Sequence, residues 1–403
     1  TWHNMNIVIV GTGYVGLVTG VGFAEQGHTV SFIDLDSPKV EKLKNKQLPF
    51  FEPDLETYFS KKENFNRMSF HSSYNSLNWD KSEIVFICVQ TPNNIETNSV
   101  DTKFLESAIS EISKLDNKEI VITVKSTIPP YEIENVCNNV GYDQDLLTFN
   151  PEFLREGSAV YDFFNPDRIV IGGLNTEKTN KLQKLYEEYD SEIIVTDPIS
   201  SQLIKYLANT YLPMRLSFVN EATRLSDYSG ANLTDVLKGV GLDSRIGSHY
   251  FRPSPSWGGS CFPKDLVEVN NFYKKDELNL PLISNIIESN NEHLNWTVNQ
   301  LLSLKNNNNL EKIVLVGAAF KENTDDLRNS PTLDIYKTLD NMGVQVSILD
   351  TEIEVPNHNY FSSVEDINLK SLIAIMYPLN DNLDKELLDY SSQNDCIIFY
   401  PWR

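Results

Sequence analysis

Near its start the chain carries an unbroken β-branched run, Ile7-Val8-Ile9-Val10. Apolar runs of this kind predict strands buried on both faces, as in a parallel sheet. Similar runs return at 29–33, 84–89 and 120–124. Between the first two lies a stretch of small and apolar residues, 18–24, read as a helix that Gly27 ends. Strands alternating with helices predict a doubly wound α/β unit.

From about Ser200 the period changes. Leu203, Leu207, Tyr211, Met214, Phe218, Ala222 and Leu225 recur every three or four positions, which is one stripe of a long helix. Pro213 lies inside it and predicts a kink or a split. Such a stripe suits a subunit interface and an internal core equally. The strand pattern then restarts: Ile313-Val314-Leu315-Val316-Gly317, a helix over about 331–342, Gly343, and a strand over 344–349 ending at Asp350. This echoes the first unit, without its three-glycine turn and with Lys321 added. It predicts a second doubly wound domain for a different, phosphate-bearing ligand. The expected fold class is α/β, with two doubly wound (Rossmann-like) domains joined by a central helical region with a long helix. The expected divisions are 1–199, 200–300 and 301–403.

A length of 403 residues agrees with two or three domains. The net charge of −22 argues against nucleic-acid binding, because the basic footprint is missing. No run of eighteen apolar residues occurs, so no membrane span is expected. No signal-peptide pattern precedes the first strand, and Met5 reads as a natural start with four residues added ahead of it. Cys88, Cys137, Cys261 and Cys396 form neither a metal-binding spacing nor a disulfide framework. Reduced thiols and a cytoplasmic location follow as expectations, with no metal.

The chemistry begins at Gly11-Thr12-Gly13-Tyr14-Val15-Gly16, a G-x-G-x-x-G turn between strand and helix. Gly11 permits the tight turn, Gly13 admits a pyrophosphate, and Gly16 lets helix and strand pack closely. Asp34 ends the next strand, where a carboxylate takes the ribose 2′-hydroxyl and repels a 2′-phosphate. NAD is therefore expected over NADP. Thr91 and Thr127 follow later strands and suit either a turn or cofactor contact. Lys205 and Asn209, four apart, share a helix face, as many solvated lysines do. In Trp257-Gly258-Gly259-Ser260-Cys261-Phe262-Pro263-Lys264-Asp265, Pro263 fits the first turn of a helix, with Cys261 at its N-terminus. That position and Lys264 favour a thiolate, yet a small buried cysteine beside a cap reads equally well. A thiolate beside a nicotinamide could hold an aldehyde covalently and carry it to an acid. Glu152 and Glu156 are candidate bases for the final hydrolysis.

Taken in order, GTGYVGL, NPEFLREG, KYLANTY, GGSCFPKD and AFKENTDDLRNSP resemble the UDP-glucose/GDP-mannose dehydrogenase family over nearly the whole chain. The resemblance implies a four-electron, NAD-dependent oxidation of a nucleotide sugar by a dimer. UDP-glucose is favoured by the DSRIG segment with His249-Tyr250; GDP-mannose and UDP-N-acetyl-mannosamine are the alternatives, ahead of a single-step dehydrogenase or a binder without turnover. It implies Cys261 as nucleophile, Lys205 and Asp265 for proton transfer and the oxyanion or water, Glu152 as hydrolytic base, and Thr127 to place the water or nicotinamide. NAD would meet Gly11, Gly13, Tyr14, Val15, Asp34, Lys39, Thr91, Thr127, Glu156 and Arg328. The sugar nucleotide would meet Glu152, Phe153, Leu154, Glu156, Lys205, Asn209, Tyr250, Gly258, Phe320 and Lys321. Arg245 would reach the neighbouring subunit's substrate. The chain departs from the family at Ser256, where a glycine is usual.

Overall fold

The computed structural model describes residues 4–94, 99–115, 119–275 and 278–403. Three of the four residues ahead of Met5 lie outside that set. The chain divides into two compact units, Thr1–Leu207 and Ala208–Arg403.

The first unit is built on eight strands: β1 Asn6–Val10, β2 Thr29–Ile33, β3 Met68–His71, β4 Ile84–Ile87, β5 Val121–Val124, β6 Leu147–Phe149, β7 Arg168–Gly172 and β8 Glu192–Thr196. Across the sheet they run β8-β7-β6-β5-β4-β1-β2-β3. All pairings are parallel except β6 with β7. Ile7 lies opposite Val30 on one side and Ile84 on the other. The strand order reverses between β1 and β4, the place where such sheets bind ligands at their carboxyl ends. The apolar runs are explained by burial on both faces. Ile7, Ile9, Phe32 and Phe86 pack on one side with Leu17 and Phe23, while Val8, Val10, Val85 and Ile87 pack on the other with Ile109 and Ile133.

The helix Tyr14–Glu25 leaves β1 by a turn that only glycine fits. Gly11 has φ +97° and donates from N to Ile33 O at 2.8 Å. A Cβ at Gly16 would stand 1.9 Å from Gly11 O. At Gly13 it would meet nothing within 4 Å, so packing does not require glycine there.

The boundary between the units falls inside one helix, Pro198–Ser229. Pro213 does not split it: the helix continues sixteen residues further, because one lost ladder bond is outweighed by the packing of so long a helix. Its faces are also not arranged as an internal core. Leu207, Tyr211, Phe218 and Leu225 are exposed, whereas Gln202, Lys205, Tyr206, Asn209, Thr210, Ser217, Asn220 and Thr223 are buried.

The second unit repeats the first in outline. Strands β9 Lys312–Val316, β10 Val346–Leu349, β11 Tyr360–Phe361, β12 Ser371–Ile375 and β13 Ile397–Phe399 form a parallel sheet ordered β11-β10-β9-β12-β13. The correspondence reaches single bonds. Gly317 has φ +96° and donates to Leu349 O at 2.9 Å. Ala318 N donates to Asp350 Oδ2 at 2.9 Å, as Thr12 N does to Asp34 Oδ2 at 2.9 Å. The difference lies in what covers the turn. A Cβ at Gly317 would meet the Tyr377 ring at 2.6 Å, and the next helix starts only at Pro331.

The two glycines of the first turn separate fold from ligand. Gly16→Ala is expected to cost on the order of 1–3 kcal/mol and to lower Tm. Gly13→Ala should change stability by no more than about 0.5 kcal/mol. Thermal melts followed by circular dichroism check both.

Candidate active site

In the first unit the dinucleotide turn is preformed. Gly13 is the N-cap of Tyr14–Glu25 and no side chain caps it. The helical ladder begins with Leu17 N donating to Gly13 O at 2.9 Å, so the preceding N–H groups point out of the helix end, as an anion requires. Asp34 Oδ2 accepts from Thr12 N at 2.9 Å, Thr12 Oγ1 at 2.6 Å and Lys39 Nζ at 3.2 Å. Its Oδ1 accepts from Asp36 N at 3.0 Å. Burial pushes this carboxyl up, but the bonds from Thr12 and Asp36 and the charge of Lys39 prevail and hold it below the usual range. It is a fixed carboxylate with lone pairs for a diol, which fits NAD. Thr91 Oγ1 donates to Thr127 O at 2.8 Å, tying together the loops after β4 and β5.

The segment 150–159 is held by side chains from five distant parts of the unit, and by Asp162 just beyond it. Lys125, at the end of β5, is buried and donates to Asn150 Oδ1 at 2.8 Å. Burial pushes Lys125 down to about 8. Tyr186 donates to the same Asn150 oxygen at 2.7 Å. Lys205 Nζ donates to Glu152 O at 2.5 Å and Oε1 at 3.0 Å, and Glu152 Oε2 accepts from Leu154 N at 2.7 Å. The Arg168 guanidinium lies 3.6 Å from the Phe153 ring centre, and the Lys205 ammonium 5.3 Å from it. Asp162 accepts from Arg155 N and Nε, both at 2.9 Å. Glu52 takes the far end, through Gly157 N at 2.8 Å and Ala159 N at 2.7 Å. Glu156 and Leu154 are half-buried within this frame. Glu52, Lys125 and Arg168 were given no role from the sequence. Lys125 stands directly before Ser126-Thr127 and could have been weighed as a charge at a strand end; Glu52 gives no such signal.

In the second unit Cys261 is exposed and is therefore not a buried filler. It immediately precedes the helix Phe262–Lys275, and its carbonyl accepts from Asp265 N at 2.9 Å. The thiol stands at the positive end of a helix dipole. Asp265 is buried, with Oδ1 accepting from Lys264 Nζ at 2.6 Å and Oδ2 from Asn209 Nδ2 at 2.7 Å. Burial pushes Lys264 down, but the Asp265 charge and hydrogen bond more than reverse this and raise it. Gly258 is needed for close approach, since a Cβ there would stand 1.9 Å from Asn329 O. Phe320 covers Gly259, and Asn329 Nδ2 donates to Gly259 O at 3.0 Å. Lys321 lies 5.5 Å from the Phe320 ring centre. Tyr250 has φ +54°, uncommon for a residue with a Cβ. Arg328 pairs with Asp326 at 2.6 Å. Arg245 pairs with Asp243 at 2.7 Å and is otherwise solvent-exposed.

The loop before Cys261 is clamped by one face of the helix Ile286–Asn307. Asn290 exchanges two bonds of 2.9 Å with the Trp257 backbone, Thr297 Oγ1 donates to Pro255 O at 2.9 Å, and His293 Nε2 donates to Ser254 O at 2.7 Å. Ser256 is buried within this clamp.

The first unit thus carries a Rossmann turn with its acid, which marks a dinucleotide-binding domain, and the second carries an exposed cysteine on a helix N-terminus, a candidate nucleophile. Residues 5–190 match the NAD binding domain of the UDP-glucose/GDP-mannose dehydrogenase family, 199–292 its central domain and 314–377 its UDP binding domain. The chain is 38% identical over 353 residues to a UDP-glucose 6-dehydrogenase of Rickettsia felis, covering 86% of this chain and 78% of that protein. It is 35% identical to the UDP-glucose 6-dehydrogenase YwqF of Bacillus subtilis, covering 86% and 79%. A solved UDP-glucose dehydrogenase from Pyrobaculum islandicum superposes with a TM-score of 0.87 at 29% identity, covering 100% of this chain and 95% of that one. This chain belongs to the UDP-glucose/GDP-mannose dehydrogenase family, and it is an oxidoreductase that uses NAD.

The clamp carries a pH dependence. Burial, only partly opposed by the Ser254 carbonyl, lowers the folded His293 to about 4 from an ordinary 6.5. Between those values the unfolded chain binds more protons, so stability falls as pH drops through that window. The full loss is about 3 kcal/mol. Urea unfolding of wild type and His293→Gln at pH 7, 5.5 and 4.5 should give a steeper acid loss in wild type.

Proposed function

We propose that this chain oxidises UDP-glucose at C6 to UDP-glucuronate. The observation that carries the reading is the exposed Cys261 thiol on the N-terminus of Phe262–Lys275, with the Lys264–Asp265 pair beside it. Membership of the family and 38% identity to a UDP-glucose 6-dehydrogenase support the choice of substrate. The division into 1–199 for cofactor, 200–300 for dimerisation and 301–403 for the sugar nucleotide belongs to the same reading.

NAD, when bound, would supply the hydride acceptor, one molecule for each of the two oxidations. Gly11, Gly13, Tyr14, Val15, Asp34, Lys39, Thr91, Thr127, Glu156 and Arg328 would hold it. Cys261 attacks the C6 aldehyde, its sulfur forming a C–S bond to give a thiohemiacetal, and the second oxidation leaves a thioester. Water then breaks the C–S bond, releasing the acid and the thiol. Glu152 accepts the proton of that water, and Thr127 orients it. Lys205 and Asp265 take and return the proton of the C6 oxygen and stabilise its negative charge. Phe153, Leu154, Asn209, Tyr250, Gly258, Phe320 and Lys321 hold the sugar nucleotide.

The exposed Leu207, Tyr211, Phe218 and Leu225 support a homodimer, and the outward Arg245 supports its reaching a second copy's substrate. Four cysteines without a disulfide agree with a cytoplasmic location. No helix among the described residues is long and apolar enough to cross a membrane.

The decisive measurement is NADH yield on a panel of UDP-glucose, GDP-mannose and UDP-N-acetyl-mannosamine. Two NADH per UDP-glucose are expected, with Cys261→Ser losing acid release. Turnover of GDP-mannose with none of UDP-glucose would sink the substrate assignment. One NADH per sugar with a fully active Cys261→Ser would sink the covalent route.

A further inference from the structure

Glu52 belongs to no motif and lies far along the chain from the residues it binds. Its side chain is buried, with the residue 3% exposed, and it makes no ion pair among the described residues. Three donors hold it instead. Oε2 accepts from the Tyr14 hydroxyl at 2.6 Å and from Gly157 N at 2.8 Å; Oε1 accepts from Ala159 N at 2.7 Å. One oxygen therefore joins two segments with different duties. Tyr14 is the first residue of the helix that opens on the dinucleotide turn. Gly157 directly follows Glu156 and sits at φ +87°, a backbone setting that glycine can leave at little cost.

The Tyr14 hydroxyl has a second acceptor within reach, Arg155 O at 3.3 Å. A phenol carries one proton, so it serves Glu52 or Arg155 fully, not both. A small shift of the helix start thus changes which partner is satisfied and how firmly Oε2 holds Gly157. A carboxylate is the one side chain suited here: it only accepts, and all three neighbours donate. An amide at this place would turn an NH₂ toward at least one donor.

We propose that Glu52 is a positioning residue that couples cofactor occupancy of the dinucleotide turn to the conformation of segment 150–159, which carries Glu152 and Glu156. The proposal rests on the functional reading above for the duties of those two glutamates. The coupling itself needs only NAD.

The test is amide hydrogen exchange over peptides covering 150–160, with and without NAD, in wild type, Glu52→Gln, Tyr14→Phe and the double variant. Tyr14→Phe removes a single hydroxyl and keeps the test valid if Glu52→Gln folds poorly. NAD should slow exchange there in wild type and lose most of that effect in each variant. Because coupling is reciprocal, NAD affinity should fall about 5-fold or more. The double variant should lose no more than the worse single one, since both cut one path. Equal NAD protection in wild type and variants, or additive losses in the double variant, overturns the coupling. Failure of wild type to oxidise UDP-glucose would overturn the substrate assignment and leave these exchange results standing.

Discussion

Burying an ammonium group costs several kcal/mol unless it is met by charge and hydrogen bonds. Lys205 is buried on the long helix, and this requirement shapes what surrounds it. It is met by one residue twice over, through the Glu152 carboxylate and the Glu152 carbonyl. The neighbouring Phe153 offers its ring to the same ammonium, and Arg168 stacks on that ring. The backbone at 152–153 is thus determined by a cation on a distant element. Glu152 is left with its second oxygen on Leu154 N, so both oxygens are oriented before any ligand arrives. A carboxylate oriented in advance in this way suits the proposed acceptance of a proton from water.

The two sheets show how far one backbone scheme can be turned to different ends. Gly11 and Gly317 take nearly the same φ, and Asp34 and Asp350 receive the same backbone donor. In the first unit the turn runs straight into a helix whose end stays clear at Gly13. In the second, Tyr377 lies over the glycine and a long excursion precedes the helix, carrying Phe320 and Lys321. The hydrogen bonds that make the turn are shared; the side chains lying over it are not.

Much of this was legible from the chain. The strands announced themselves because both faces are buried, so Ile7–Val10 and Ile313–Val316 contain no polar position. The first turn and Asp34 were legible because dinucleotide binding is encoded within one short βαβ stretch. The long helix was legible as a helix, but its apolar stripe could not reveal what covers it. Leu207, Tyr211, Phe218 and Leu225 face outward, while the buried face is polar because it meets Glu152, Asp265 and the clamped loop residue Ser254 through Lys205, Asn209 and Asn220. Glu52 and His293 were illegible for a related reason. Each acts on backbone atoms far away in sequence, Glu52 on Gly157 and Ala159 and His293 on Ser254, and backbone acceptors and donors leave no mark on residue identity.

The way segment 150–159 is held also bears on its portability. Its shape is specified by Lys125, Tyr186, Lys205, Arg168 and Glu52, none of which lies inside it. Transplanting these residues alone into another Rossmann scaffold would carry over the sequence and leave its instructions behind. Conversely, drift within the segment is constrained less by neighbours in the chain than by five distant partners that must change with it. Recombination between relatives would tolerate a crossover only where both the segment and its holders come from the same parent.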